Sequence, residues 1–141
     1  MIELLRSAET DSAATTPGLR GLERLVESAR QSGSAVDVHA DDLEPPPPSP
    51  VDLTAYRIIQ ESITNAVKHA PGETVRLAIT RDPDALRIDV VNPVHGNGST
   101  GEGFGIASMR ERALALGGTL QAGSTDGQWR VAVALPLGSG S

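Results

Sequence analysis

The longest periodic stretch of the chain runs from Pro50 to Ala70. At 3.6 residues per turn, Ala55, Tyr56, Ile59, Ile63, Ala66, Val67 and Ala70 fall on one broad apolar face. Arg57, Glu61, Asn65 and Lys68 fall on a narrow stripe opposite, with His69 at its edge. Ser49-Pro50-Val51-Asp52 reads as the helix start: Ser at the N-cap, Pro at the first helical position, an acid three residues after the cap. Pro71-Gly72 stops it. On spacing alone the plainer reading of the stripe is a solvated helix face. Asn65 is the residue that does not fit, because an Asn side chain competes for backbone hydrogen bonds in mid-helix.

On either side the periodicities change. Met1 to Ser7 has Ile2, Leu4 and Leu5 in a short amphipathic piece, and Ala8 to Thr16 is a small, polar linker. Pro17-Gly18 is expected to open a helix of about 14 residues, with Leu19, Leu22, Leu25, Val26 and Ala29 as its apolar stripe and Gly33 at its end. Ser34 to His39 alternates around Val36 and Val38, a strand. Asp41 to Pro48 is a loop in which four consecutive prolines form a rigid connector. Val75, Leu77 and Ile79 alternate, as do Leu86, Ile88 and Val90, so Asp82-Pro83-Asp84 joins an antiparallel hairpin. Asn92 to Gly103 carries turn residues and no period, a loop expected to be mobile without a ligand. Phe104 to Leu116 regains helical spacing through Ile106, Met109, Ala113 and Leu116, and Gly117-Gly118 ends it. Thr119 to Gly123 and Gln128 to Leu135 form a second hairpin about Asp126-Gly127, followed by a tail from Leu137. Two hairpins with helices interposed predict a two-layer α/β sandwich: one mixed five-stranded sheet with three helices on one face.

Composition narrows the function. The chain has 141 residues and no cysteine, enough for one cored domain without disulfides or thiolate metal sites. His39, His69 and His95 do not have zinc-site spacing. A net charge of −6 without basic clusters argues against a nucleic-acid backbone as partner. No apolar run approaches the roughly 20 residues of a membrane span, and no signal peptide opens the chain. A soluble domain in a reducing compartment is therefore expected; it is further expected to be a cytoplasmic part of a larger sensor, without direct membrane contact and monomeric in isolation.

The segment Gly101-Glu102-Gly103-Phe104-Gly105 directly precedes a helix. Glycines there let backbone approach a phosphate, and free N–H groups at a helix start attract an anion. By itself this is also how an ordinary helix cap reads. There is no Gly-Lys-Ser/Thr of a P-loop. The Rossmann fingerprint is absent too, because a loop of about ten residues separates strand from helix and the glycines are spaced by two.

Two blocks together resemble a known family. Gln60-Glu61-Ser62-Ile63-Thr64-Asn65-Ala66-Val67-Lys68-His69-Ala70 resembles the N box of sensor histidine kinases. Gly103-Phe104-Gly105-Ile106-Ala107-Ser108-Met109-Arg110-Glu111-Arg112, running on to Gly117-Gly118-Thr119-Leu120, resembles their second glycine box and following helix. The likeness extends over about residues 17–137 and is to the ATP-binding domain of the gyrase, Hsp90, histidine kinase and MutL superfamily, the Bergerat fold. The Tyr-Arg-Ile-Ile-Gln-Glu lead-in and the Met-Arg-Glu-Arg helix are similar to the branch paired with NarL-type response regulators. The resemblance implies ATP and Mg²⁺ as ligands, with Asn65 as magnesium ligand through its amide oxygen. It implies Glu61 as the base or polarising group toward an attacking imidazole, and Lys68 and His69 near phosphate oxygens. Gly101, Gly103 and Gly105 would cradle phosphates with backbone N–H groups.

The chain also departs from the family pattern. Where an Asp-x-Gly-x-Gly box normally presents an Asp to the adenine amino group, this chain has Asn92-Pro93-Val94. An Asn oxygen can accept the same bond without charge, and its NH₂ then needs another partner. Trp129 stands near the place of a Gly-Thr pair beside adenine, where it either lines the pocket or fills core; core is the preferred reading. No histidine lies in a context resembling a phosphoacceptor box, and Met1 to Ala8 resembles the end of a dimerisation helix. The implied function is the catalytic domain of a two-component kinase, phosphorylating a histidine on a separate dimerisation domain for relay to a NarL-type regulator. The alternatives are a non-catalytic nucleotide-binding module and a serine-directed relative of the anti-sigma-factor kinase type.

Overall fold

A computed structural model describes residues 18–94 and 105–137. A 3-10 turn at Gly18–Gly21 leads into helix α1 (Leu22–Gln31), strand β1 (Val36–Ala40) and the long helix α2 (Ser49–His69). Strands β2 (Val75–Arg81) and β3 (Ala85–Pro93), helix α3 (Ile106–Ala115), and strands β4 (Thr119–Thr125) and β5 (Gln128–Pro136) follow. The strands form one sheet in the order β1-β2-β3-β5-β4. β1 runs parallel to β2, and the other pairs are antiparallel. The parallel step is the one that contains α2, because joining parallel neighbours requires a crossover long enough for a helix.

Strand alternation decides which face is covered. Leu77, Ile79, Leu86, Ile88, Val90, Val131, Val133 and Leu135 all point to one side and are buried. Asp37, Arg76, Arg87 and Arg130, on the intervening positions, are exposed. The helices lie on the apolar side, as the expected two-layer sandwich requires. The turns follow from local chemistry. Asp82 Oδ1 accepts the N–H groups of Asp84 and Ala85, both at 2.8 Å, and its Oδ2 accepts from Arg87 Nε at 3.2 Å. The Ala85 and Asp84 N–H groups, and to a lesser degree Arg87, hold its carboxyl below the ordinary carboxylate range. Asp126 (φ 56°) and Gly127 (φ 76°) are both left-handed, the backbone that a two-residue hairpin turn of right-handed twist demands.

Three expectations need correction. The first helix does not start at Pro17-Gly18: a 3-10 turn precedes it, and α1 has 10 residues. Gly18 is left-handed (φ +65°), and a Cβ there would overlap the Asp52 carboxylate. Leu19 N–H donates to Asp52 Oδ1 at 2.9 Å. Asp52 is thus engaged across the fold instead of closing a capping box, and α2 starts at Ser49 with Pro48 as N-cap and no side-chain cap. Asn92 and Pro93, placed in the loop by composition, belong to β3. Asn92 is in register with Trp129 and Pro93 with Gln128, and Val94 N–H donates to the Gly127 carbonyl at 2.8 Å. Cross-strand pairing extends the strand past the point where local propensity ends it.

The predicted apolar face of α2 is buried at Ala55, Ile59, Ile63, Ala66 and Ala70, and Tyr56 and Val67 are half-buried. The covered surface is wider than that face. Ile58 is fully buried, and Ser62 and Asn65 are 2% and 7% exposed. Helices α1 and α3 both pack on α2 in addition to the sheet, so more than one stripe is enclosed. The expected helical piece at Met1 to Ser7, the linker to Thr16, the loop from His95 to Gly103 and the tail from Gly138 lie outside the described residues.

Candidate nucleotide-binding site

Two elements meet where the sequence placed its chemistry. Gly105 is the N-cap of α3, left-handed at φ 77° and without a side-chain cap. A Cβ built on it would stand 2.8 Å from Glu61 Oε2 and 3.3 Å from Glu61 Cδ. The Glu61 carboxylate therefore lies directly against the backbone that opens α3. One residue along α2, Ser62 Oγ donates to Met109 Sδ at 3.7 Å, a buried contact. Ile106 and Met109, the apolar residues of the first turn of α3, are buried with it. Together these contacts hold the start of α3 against α2.

Asn65 follows Glu61 by four residues and Ser62 by three, so it lies one turn on, on the side toward α3. Its burial separates it from an ordinary solvated stripe, whose members would all be exposed. Glu61, Lys68 and His69 are exposed, and Arg57 is half-buried. Lys68 and His69 occupy the last turn of α2, where cations suit the helix dipole. The structure thus brings Glu61 and Gly105 together, with Asn65 and Lys68 on the same side of the helix. Gly101 and Gly103 lie outside the described residues. A cavity of about 620 Å³ lined by Leu22, Val26, Arg30 and Val38 lies between α1 and β1 and includes none of these residues.

The end of β3 supplies a different kind of group. Asn92 is 2% exposed. Its Nδ2 donates to the Pro93 carbonyl at 3.0 Å, while Oδ1 is buried with no hydrogen-bond partner among the described residues. The carbonyl identifies which amide atom faces it, since only N–H can satisfy an acceptor. A buried acceptor left empty costs about 1–3 kcal/mol, which a ligand donor would remove. Trp129, the chain's one tryptophan, pairs with Asn92 across β3 and β5. It is half-buried and packs against the core, in line with the preferred reading.

Asn65 and Glu61 offer hard oxygen atoms, which suit Mg²⁺. Among the described residues no three His, Cys, Asp or Glu side chains could hold a metal ion together. A cation here would share its coordination with phosphate oxygens, the usual manner of Mg²⁺. The orphaned Asn92 oxygen fits an amino group on a base. The residues present fit Mg²⁺ and ATP.

A family model described as histidine kinase-, DNA gyrase B-, and HSP90-like ATPase matches residues 51–139. The chain belongs to this family, and it is a histidine kinase-type ATPase domain. Among characterised relatives, the signal transduction histidine-protein kinase/phosphatase UhpB of Salmonella typhimurium is 35% identical over 135 residues, covering 94% of this chain and 26% of UhpB. The sensor histidine kinase YxjM of Bacillus subtilis is 33% identical over 111 residues, covering 79% and 27%. The chain spans about a quarter of the length of these relatives. The histidine kinase domain of the Erythrobacter litoralis EL346 blue-light activated histidine kinase superposes with a TM-score of 0.67 at 22% identity, covering 84% of this chain and 58% of that one. The catalytic domain of histidine kinase ThkA gives 0.58 at 13%, covering 83% and 92%. At these identities the structural likeness establishes the fold. The expected fold and family are borne out.

The residues that sequence reading missed are Ser62, Met109 and the Pro93 carbonyl. Ser62 left one signal, a small polar residue inside an apolar run, which suits a close helix–helix contact.

Proposed function

We propose that this chain is the catalytic ATP-binding domain of a two-component sensor histidine kinase. It passes the γ-phosphoryl group of ATP to a histidine on a separate dimerisation domain, from which a NarL-type response regulator receives it. The observation that carries this reading is the Glu61 carboxylate seated against the Gly105 backbone, with Asn65 one turn on. The triphosphate lies between α2 and the backbone leading into α3. On a chain of net charge −6, that polyanion needs local donors. Lys68, His69 and the backbone N–H groups at the start of α3 supply them. Asn65 holds Mg²⁺ through its amide oxygen. The ion that Asn65 would hold would supply charge neutralisation for the phosphate oxygens.

In the transfer step an imidazole nitrogen of the partner domain bonds to the γ-phosphorus. The bond from that phosphorus to the bridging oxygen of ADP breaks, and its electron pair stays on ADP. Glu61 takes the imidazole N–H proton, which makes the attacking nitrogen more nucleophilic. Asn92 accepts from the adenine amino group. We assign residues 1–16 to the end of the dimerisation helix and its linker, residues 17–137 to the catalytic domain and residues 138–141 to a tail. The acceptor histidine belongs to the other domain, and both act in the cytoplasm. No helix among the described residues is long and apolar enough to cross a membrane.

The test supplies the dimerisation domain in trans with ATP labelled at the γ-phosphate. Label on its histidine is the expected result. Glu61→Gln should keep ATP affinity within about threefold and lower transfer by about 10²–10⁴-fold, the range for a positioned proton acceptor. Equal transfer by the variant would remove Glu61 from that role.

A further inference from the structure

The seam between α2 and α3 contains a buried pair behind the residues that face the ligand. Ser62 and Met109 are both 2% exposed, and Ser62 Oγ donates to Met109 Sδ at 3.7 Å across 47 positions of sequence. Each is tied to one wall of the site. Ser62 follows Glu61 directly in α2. Met109 N–H donates to the Gly105 carbonyl at 3.0 Å, in the first turn of α3. Gly105 in turn stands against the Glu61 carboxylate, which a Cβ there would meet at 2.8 Å. The contacts close a ring through Glu61, Ser62, Met109 and Gly105. One link is a peptide bond and another a helix hydrogen bond, so neither can lengthen much. The Ser62–Met109 contact is the link that sets the width of the seam. Glu61 is exposed, so burial of its own side chain does not fix its distance from α3. Serine suits position 62 by volume: a larger side chain meets the Met109 thioether and pushes the start of α3 outward. Methionine suits position 109 because an unbranched thioether fills irregular space and accepts a hydroxyl proton.

Resting on the kinase reading above, we propose that Ser62 and Met109 are a positioning pair for phosphoryl transfer, setting the gap between the Glu61 carboxylate and the Gly105 backbone. Neither touches the nucleotide or the acceptor imidazole; both act through Glu61 and Gly105. Their effect falls on transfer and not on capture of ATP. Affinity for a triphosphate is shared among several donors, and a small shift of one wall leaves most of them in place. Transfer is stricter, because it needs the proton acceptor on one wall and the γ-phosphate against the other at matched distances. Glu61 must stand about 2.6–3.2 Å from the nitrogen whose proton it takes, and a displacement of ~1 Å costs up to about 10²-fold in rate. Widening the seam therefore lowers kcat at saturating ATP and leaves KM for ATP nearly unchanged. Volume at position 62 matters more than its hydroxyl, since a thioether does not require a donor.

The test measures label transfer to the dimerisation domain in trans at varied ATP concentration, which separates kcat from KM. Ser62→Val should lower kcat by more than about tenfold with KM for ATP within about threefold of wild type. Ser62→Thr adds one methyl and keeps the hydroxyl; it should show the same split at about threefold to tenfold, and it carries the test if Ser62→Val does not fold. Ser62→Ala keeps the space and should stay within about threefold in both constants. Val26→Ala, buried on α1 away from the seam, is the control for a general loss of stability: Tm should fall and kcat should hold. The chain has two methionines, so labelling their ε-methyl groups reads Met109 without any transfer step. Its resonance should move in each Ser62 variant and stay in place in Val26→Ala. A wild-type kcat in folded Ser62→Val or Ser62→Thr, a loss confined to KM, or an equal fall of kcat in Val26→Ala would overturn the proposal. A Met109 resonance indifferent to position 62 would overturn it as well. An absence of transfer by the wild-type chain would overturn the kinase reading and this inference together; transfer that is insensitive to position 62 would overturn only the inference.

Discussion

The two ends of the candidate site are built by opposite means. At the proposed phosphate end, an exposed acid on α2 touches the opening backbone of α3, and shape matters most: Gly105 has neither the φ nor the space for a side chain. At the proposed base end, Asn92 on β3 is almost wholly buried with one acceptor unfilled among the described residues, and polarity matters most. A shaped end tolerates changes in charge better than changes in volume. A polar end does the reverse, because the cost of an unmet buried acceptor is set by chemistry and not by size. Gly105 stands where a side chain has neither the φ nor the space, while Asn92 stands where the requirement is one of hydrogen-bonding chemistry.

The largest effect is expected from Gly105→Ala. It places a Cβ at a left-handed φ and 2.8 Å from Glu61 Oε2. A loss of about 1–3 kcal/mol in stability is expected, and ATP affinity should fall more than tenfold. Gly117→Ala is the matched control. Its φ is +82°, but its nearest neighbour is Pro136 Cγ at 3.7 Å. Denaturation should show a similar stability loss with ATP affinity retained; equal loss of binding in both would mean that strain alone, and not the Glu61 contact, governs the phosphate end. Asn92→Ala comes next. It removes both the orphan and the bond to Pro93, so stability should change by less than about 1 kcal/mol, while titration should show ATP binding several-fold weaker. Asp82→Ala is the smallest and lies at neither end. Its depressed carboxyl stabilises the folded chain above the ordinary carboxylate range, and that contribution is lost as pH falls through the folded value. Melting curves should show a small fall in Tm at neutral pH, vanishing in acid, with no change in ATP binding.

Much of this arrangement could be read from the chain before any coordinates. Strand alternation locates Leu77, Ile79, Leu86, Ile88, Val131 and Val133 on the covered face, and Asp126-Gly127 and Asp82 mark their turns. The candidate roles of Glu61, Asn65 and Gly105 come from the resemblance of two blocks to a known family. What escaped has a common cause in contacts distant along the chain. Asp52 resembles a local cap until Leu19 N–H, 33 residues away, is found on its carboxylate. Ile58 and Ser62 lie off the single apolar stripe because α2 is packed by two helices as well as by the sheet. Asn92 and Pro93 look like loop until β5 pairs with them. The need for a partner to the Asn92 NH₂ is legible from its chemistry; that the partner is the next residue's carbonyl is a matter of backbone geometry.

The most direct measurement is a calorimetric titration of the wild-type chain and of Asn65→Ala with ATP, each with and without Mg²⁺. One ATP per chain is expected for the wild type, bound at least tenfold more tightly with Mg²⁺, with that gain absent in the variant while metal-free binding persists. An undiminished Mg²⁺ gain in Asn65→Ala would contradict the placement of a metal-bound triphosphate between α2 and α3.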